Sequence, residues 1–146
     1  MRNYSLYLIE DEFACHYYGR ERMFYELFKD YEQSHGQLRS ILHMQIDYIT
    51  KKIPAIKLHQ LIHQQLVKNR GFRIEQNSYL IEKKGNASVA KLAVYDRLVT
   101  VESYGSFDSE TIFFEVLRKC EHSFLAVDTS QNRYGWLKPI KERNFV

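Results

Sequence analysis

Cysteine is scarce in this chain, and the two that occur, Cys15 and Cys120, have no Cys-x-x-Cys spacing. That argues against a disulfide framework or a dithiol redox motif and suits a reducing compartment, with the cytoplasm as the expectation. Proline and glycine are also few, two and six residues in 146, which excludes collagen-like and low-complexity classes. No run of eighteen apolar residues could span a bilayer, and the N-terminus lacks the basic, apolar and small-residue order of a signal peptide, so no membrane partner is expected. Charge of one sign is lacking as well. The formal net charge is +3, with basic residues spread along the chain, too little to demand nucleic acid.

Aromatics are abundant instead. Eleven Tyr and nine Phe stand against one Trp, and Tyr, apolar along its body and polar at its tip, is favoured at interfaces. With 45% hydrophobic and 27% charged residues, the composition is that of an ordinary globular protein. The length suits one domain covering residues 1–146, with no repeat and no polar linker to split it.

Tyr4-Ser5-Leu6-Tyr7-Leu8-Ile9 reads as a buried first strand. Glu10, Asp11 and Glu12 then place carboxylates at the positive end of a helix dipole. The series Phe13, Tyr17, Phe24, Leu27, Phe28 and Tyr31 predicts the longest helix, with Gly19 inside it as a point of close approach or local break. After a loop over 33–36, Leu38, Ile41, Leu42, Gln45, Ile46 and Ile49 predict a second helix ending near Ile53-Pro54, and residues 56–68 a third, closed by Gly71. From 72 to 104 the apolar period becomes two, giving strands around Tyr79–Ile81, Val89–Val94 and Leu98–Glu102. Short links at Lys84-Gly85-Asn86 and Tyr95-Asp96-Arg97 set them antiparallel. Residues 106–108 predict a helix cap before Ile112, Phe113, Val116 and Leu117. Phe124–Asp128 predicts a fifth strand, and the tail an extended segment anchored by Trp136. The expectation is an α/β fold with a mostly antiparallel sheet of about five strands.

The sequence carries no catalytic signature. There is no Gly-rich phosphate loop, no GxSxG, and no Ser/Cys–His pairing in an activating context. His59 and His63 at i and i+4 could project two ligands from one helical face, but Gln60 stands where a metalloprotease needs Glu and no third ligand is spaced for them. No enzyme activity, cofactor or metal is expected. An alternative reading is a nucleic-acid-binding α/β domain, in which sheet aromatics stack bases while Lys83, Lys84, Lys91, Arg97 and the basic tail neutralise phosphates. No RNP-like aromatic and glycine run supports it. At the start of the first helix, Phe13 and Tyr17 either belong to the core or, with His16 and Arg20, form an exposed aromatic and basic patch.

Several runs carry a resemblance to a known family. Tyr7-Leu8-Ile9 through Glu12-Phe13-Ala14, His16-Tyr17, Gly19-Arg20-Glu21 and Glu26-Leu27-Phe28 are followed by Gln45-Ile46, Tyr48-Ile49-Thr50 and Ile53-Pro54. The C-terminal half adds Glu110 to Leu117, Arg133-Tyr134-Gly135-Trp136-Leu137 and the closing Lys141 to Val146. With these runs the chain resembles the SirA family, the sporulation inhibitors of replication, over nearly its whole length. The match is poor only over 33–39 and 58–101.

The resemblance implies a regulator without catalysis, one that binds the N-terminal domain of the replication initiator DnaA one-to-one as a monomer and blocks new rounds of replication at sporulation. It also implies a sheet sandwiched between a long N-terminal helix and a pair of helices, with the partner met by the start of the first helix and the segment after it. The positions matching the family's partner-binding residues are Phe13, Tyr17 and Gln45, with Ala14, His16 and Tyr48 added by adjacency.

Overall fold

The computed structural model describes residues 1–83 and 87–138. The link at Lys84-Gly85-Asn86 and the closing run from Lys141 to Val146, with Phe145, lie outside the described residues.

Among the described residues the elements in chain order are β1 (Arg2–Leu8), α1 (Asp11–His16), α2 (Arg22–Gln33), α3 (Gly36–Ile49), α4 (Ala55–Leu66), β2 (Phe72–Glu75), β3 (Ser78–Lys83), β4 (Ser88–Val94), β5 (Val99–Gly105), α5 (Asp108–Cys120), β6 (Phe124–Asp128) and β7 (Arg133–Trp136). Among the described residues the sheet has seven strands in the order β2-β3-β4-β5-β1-β6-β7, every pairing antiparallel. The expectation of about five strands is therefore corrected. The two additional strands are the four-residue edges, β2 and β7, which hold no fully buried residue and so lack the buried apolar positions that mark the inner strands.

The long N-terminal helix is also corrected. Asp11 and Glu12 do open a helix, but it stops at His16, and Gly19 adopts φ +81° before α2 begins. Nothing lies within 4 Å of a Cβ built at Gly19, so the break comes from backbone conformation and not from close approach. The longest helix is α3. Residues 106–108 do not supply the expected side-chain cap for α5. The N-cap residue is Phe107, and the first-turn Ser109 N–H donates instead to the Ser88 hydroxyl of β4 at 3.0 Å.

Alternation along the strands divides the core between the two faces of the sheet. Leu6 and Leu8 of β1 point to one face, where they meet Leu58, Ile62 and Leu66 of α4 and Phe113, Val116 and Leu117 of α5. Tyr7 and Ile9 point to the other, where Leu125 and Val127 of β6 pack against Ala14 of α1, Phe24, Tyr25 and Phe28 of α2 and Ile46 of α3. A pair of helices, α4 and α5, thus covers one face and α1, α2 and α3 the other. The Tyr7 and Phe28 rings stack at 3.9 Å between centroids, and burial pushes the Tyr7 hydroxyl up to about 12. Arg2 pairs with the buried Glu110, fastening the start of β1 to α5.

Candidate partner-binding site

The site begins with a stitch between distant segments. Glu10 N–H donates to the Ile49 carbonyl at 2.8 Å, Lys51 N–H donates to the Leu8 carbonyl at 2.7 Å, and Ile9 bridges Thr50. The start of α1 is thereby held against the end of α3, and Asp11 and Lys51 add a partly exposed ion pair at 3.6 Å. This brings Phe13 to Tyr48, ring centroids 5.3 Å apart and edge-on at 61°. The break at Gly19 then turns the chain back, so that α2 forms the opposite wall.

The result is a groove of about 590 Å³. Phe13 and Tyr17 line it from the α1 segment, Met23, Phe24 and Leu27 from α2, and Met44, Gln45, Tyr48 and Ile49 from α3. Phe24 is buried and supports Tyr17 edge-on at 5.6 Å. By contrast Met44 and Tyr48 are 71% and 74% exposed, well beyond what packing within the chain requires. Gln45 is exposed and contributes a side-chain amide to the lining.

Behind α2 the Phe24 ring meets Trp136 of β7 at 6.2 Å, and the Trp136 indole N–H donates to Glu21 Oε1 at 3.1 Å. Trp136 packs on the core as expected of an anchor. Partial burial pushes the Glu21 carboxyl up, but its own backbone N–H, the Trp136 indole and the Gly19 N–H outweigh this and hold it below the ordinary carboxylate range.

Of the residues singled out from the sequence, Phe13, Tyr17, Gln45 and Tyr48 come together in the groove. Ala14 lies beneath it, 2% exposed in the core. His16 is exposed and outside the lining, its ring edge-on to Tyr17 at 4.8 Å. Sequence reasoning did not assign Met23, Leu27, Met44 and Ile49 to the site. Part of the signal lay in α3, where the series beginning at Leu38 and Ile41 continues through Met44 to Tyr48 at helical spacing. Only Ile46 of α3 is buried, so that stripe is largely a surface.

The remaining candidates find local partners. His59 Nδ1 and the Tyr79 hydroxyl share a 2.5 Å hydrogen bond, and His63 stands edge-on to the same Tyr79 ring. Among the described residues, no group of three or more His, Cys, Asp or Glu side chains is placed to hold a metal ion. Lys83 folds back onto Asn69 Oδ1 and the Arg70 carbonyl, Arg97 turns onto the end of α3, and Lys91 stands opposite Glu102 across β4 and β5. Lys84 lies outside the described residues. The Cys120 thiol is pushed up by burial, which favours the unreactive protonated form. No helix among the described residues is long and apolar enough to cross a membrane.

Fold and groove together define a class: small α/β domains that carry an apolar groove between helices on one face of an antiparallel sheet. Within that class the chain belongs to the SirA family, whose model, described as "Sporulation inhibitor of replication protein SirA", matches residues 2–141. A protein of that description from Bacillus subtilis (strain 168) is 42% identical over 147 aligned residues, covering 99% of each chain.

Proposed function

We propose that this protein inhibits the initiation of chromosome replication during sporulation by binding the N-terminal domain of DnaA in the groove between α1, α2 and α3. It acts in the cytoplasm as a single domain and a monomer, one-to-one, and without catalysis. The observation that carries the reading is convergence. Phe13, Tyr17, Gln45 and Tyr48 come from separate segments, yet they line one exposed apolar groove, in a chain whose family takes its name from inhibition of replication at sporulation.

The chemistry suits a protein partner. Phe13, Tyr17 and Tyr48 offer rigid, amphipathic contact area at low entropic cost, the two methionines adapt to the shape inserted, and the Gln45 amide supplies oriented donors and an acceptor at the edge. Bound in this way, the protein occludes a DnaA surface needed for assembly at the origin.

Calorimetric titration of the protein into purified DnaA N-terminal domain from the same organism tests the reading. Wild type should bind one-to-one with little salt dependence, and Phe13→Ala should weaken binding about thirtyfold. Absence of heat from the wild type would contradict it, and affinity for DNA that falls steeply with salt would favour the nucleic-acid alternative.

A further inference from the structure

The C-terminal end of α3 carries Tyr48, and the groove depends on where that end sits. A helix leaves its last carbonyls without intrahelical partners. Here the Ile46 carbonyl accepts from the Thr50 N–H and hydroxyl, and the Ile49 carbonyl accepts from Glu10 N–H. Two further carbonyls, those of Asp47 and Thr50, are met from outside the groove by one side chain. Arg97 Nη1 donates to them at 3.4 and 3.1 Å, and Arg97 Nε lies 3.7 Å from Asp47 Oδ1.

Arg97 reaches α3 from the tip of the β4–β5 hairpin, which is closed by Tyr95 N–H to the Leu98 carbonyl at 2.9 Å. The same tip holds the chain leaving α3, where Ile53 N–H donates to the Asp96 carbonyl at 2.8 Å. A planar guanidinium presents donors in a fixed fork, so one side chain can hold two carbonyls and a carboxylate in a set relation.

We infer that Arg97 is a positioning residue for the groove: from behind α3 it fixes the last turn of that helix, and with it the placement of Tyr48 against Phe13. Neither Arg97 nor the residues it holds, Asp47 and Thr50, line the groove, so its effect on binding passes through helix placement. The functional meaning of the inference rests on the groove being the DnaA-binding surface, as proposed above; the structural claim does not.

Amide hydrogen exchange on the free full-length protein tests that claim without a partner. In Arg97→Ala the amides of Glu10, Thr50 and Lys51 should exchange about tenfold faster, the ratio expected on losing charge-assisted hydrogen bonds, while amides in the middle of α5 hold their rates. Arg73→Ala serves as the control, since that arginine pairs with Glu82 at the β2–β3 edge away from the groove, and it should leave the α3 amides unchanged. Titration into the DnaA domain should show Arg97→Ala about tenfold weaker and Arg97→Lys, which keeps the charge without the fork, in between.

Unchanged exchange in Arg97→Ala would overturn the inference, as would faster exchange at α3 with unchanged affinity. A wild-type protein that did not bind DnaA would sink the proposed function alone, because the exchange rates would still decide whether Arg97 fixes the helix.

Discussion

The two faces of the sheet are built to different ends. On the α4/α5 face, Leu58, Ile62, Phe113 and Leu117 are fully buried, together with Leu6, Ile81, Leu92 and Phe124 from the strands beneath. On the α1–α3 face the sealed set is smaller, and Phe13, Tyr17, Leu27 and Ile49 are only partly covered while Met44 and Tyr48 project into solvent. The first arrangement returns the apolar area of these sealed residues to stability. The second leaves apolar area unfilled, which is the condition for a docking groove. Much the same residue types serve both, so completeness of coverage separates a folding face from a binding face.

Substitutions can break this contrast, and the largest effect belongs to the closed face. Phe113→Ala should cost about 3–5 kcal/mol of unfolding free energy, read by urea denaturation, because a buried aromatic is lost from a site packed on all sides. The smaller Phe13→Ala change in binding, about thirtyfold or roughly 2 kcal/mol, should come with less than half of that stability loss. Equal destabilisation by the two variants would erase the contrast.

Next is Gly71→Ala at the turn between α4 and β2. Gly71 sits at φ +89°, and a Cβ there would meet the Glu82 carbonyl oxygen at 2.1 Å, so a loss of about 1–3 kcal/mol is expected. Gly19→Ala has positive φ but open space around it, so its melting temperature should fall less.

The smallest effect sharpens the binding face. Because the Glu21 carboxyl is held below its ordinary range, its contribution to stability is present above the unfolded-state value and is lost as pH falls through the depressed folded value. Trp136→Phe removes one of the donors responsible. The variant should lose less stability than wild type on acidification across that window, which melting curves at stepped pH would show. Parallel acid limbs would contradict the role given to the indole.

Much of the fold was legible in the sequence where period and burial coincide. The strands β3, β4 and β5 pair as their short links require, while β1 and β6 read as short apolar runs that pair across long sequence separations. Edge strands were harder, since in Arg133–Trp136 a small glycine and exposed Arg and Tyr carry no buried series. The break of the N-terminal helix was signalled by Gly19, but the cost of a helical glycine is too small to decide between a tolerated residue and a turn.

The site was half legible. Phe13 and Tyr17 share a helical face by spacing alone. In α3, however, an apolar stripe that packs inward and one that faces solvent or a groove have the same 3.6-residue period, so the spacing of Leu38 and Ile41 predicts the helix but not that they are 57% and 45% exposed. Met23 and Leu27 join the groove only once the chain reverses after α1, a tertiary event that no local pattern encodes.

The most direct test of the contrast between the faces pairs one substitution on each. Titrations of Phe13→Ala and of Ile56→Ala, an exposed α4 residue outside the groove lining, into the DnaA N-terminal domain should give about thirtyfold weaker binding for the first and wild-type affinity for the second. Wild-type affinity in Phe13→Ala, or a comparable loss in Ile56→Ala, would contradict the assignment of binding to the α1–α3 face.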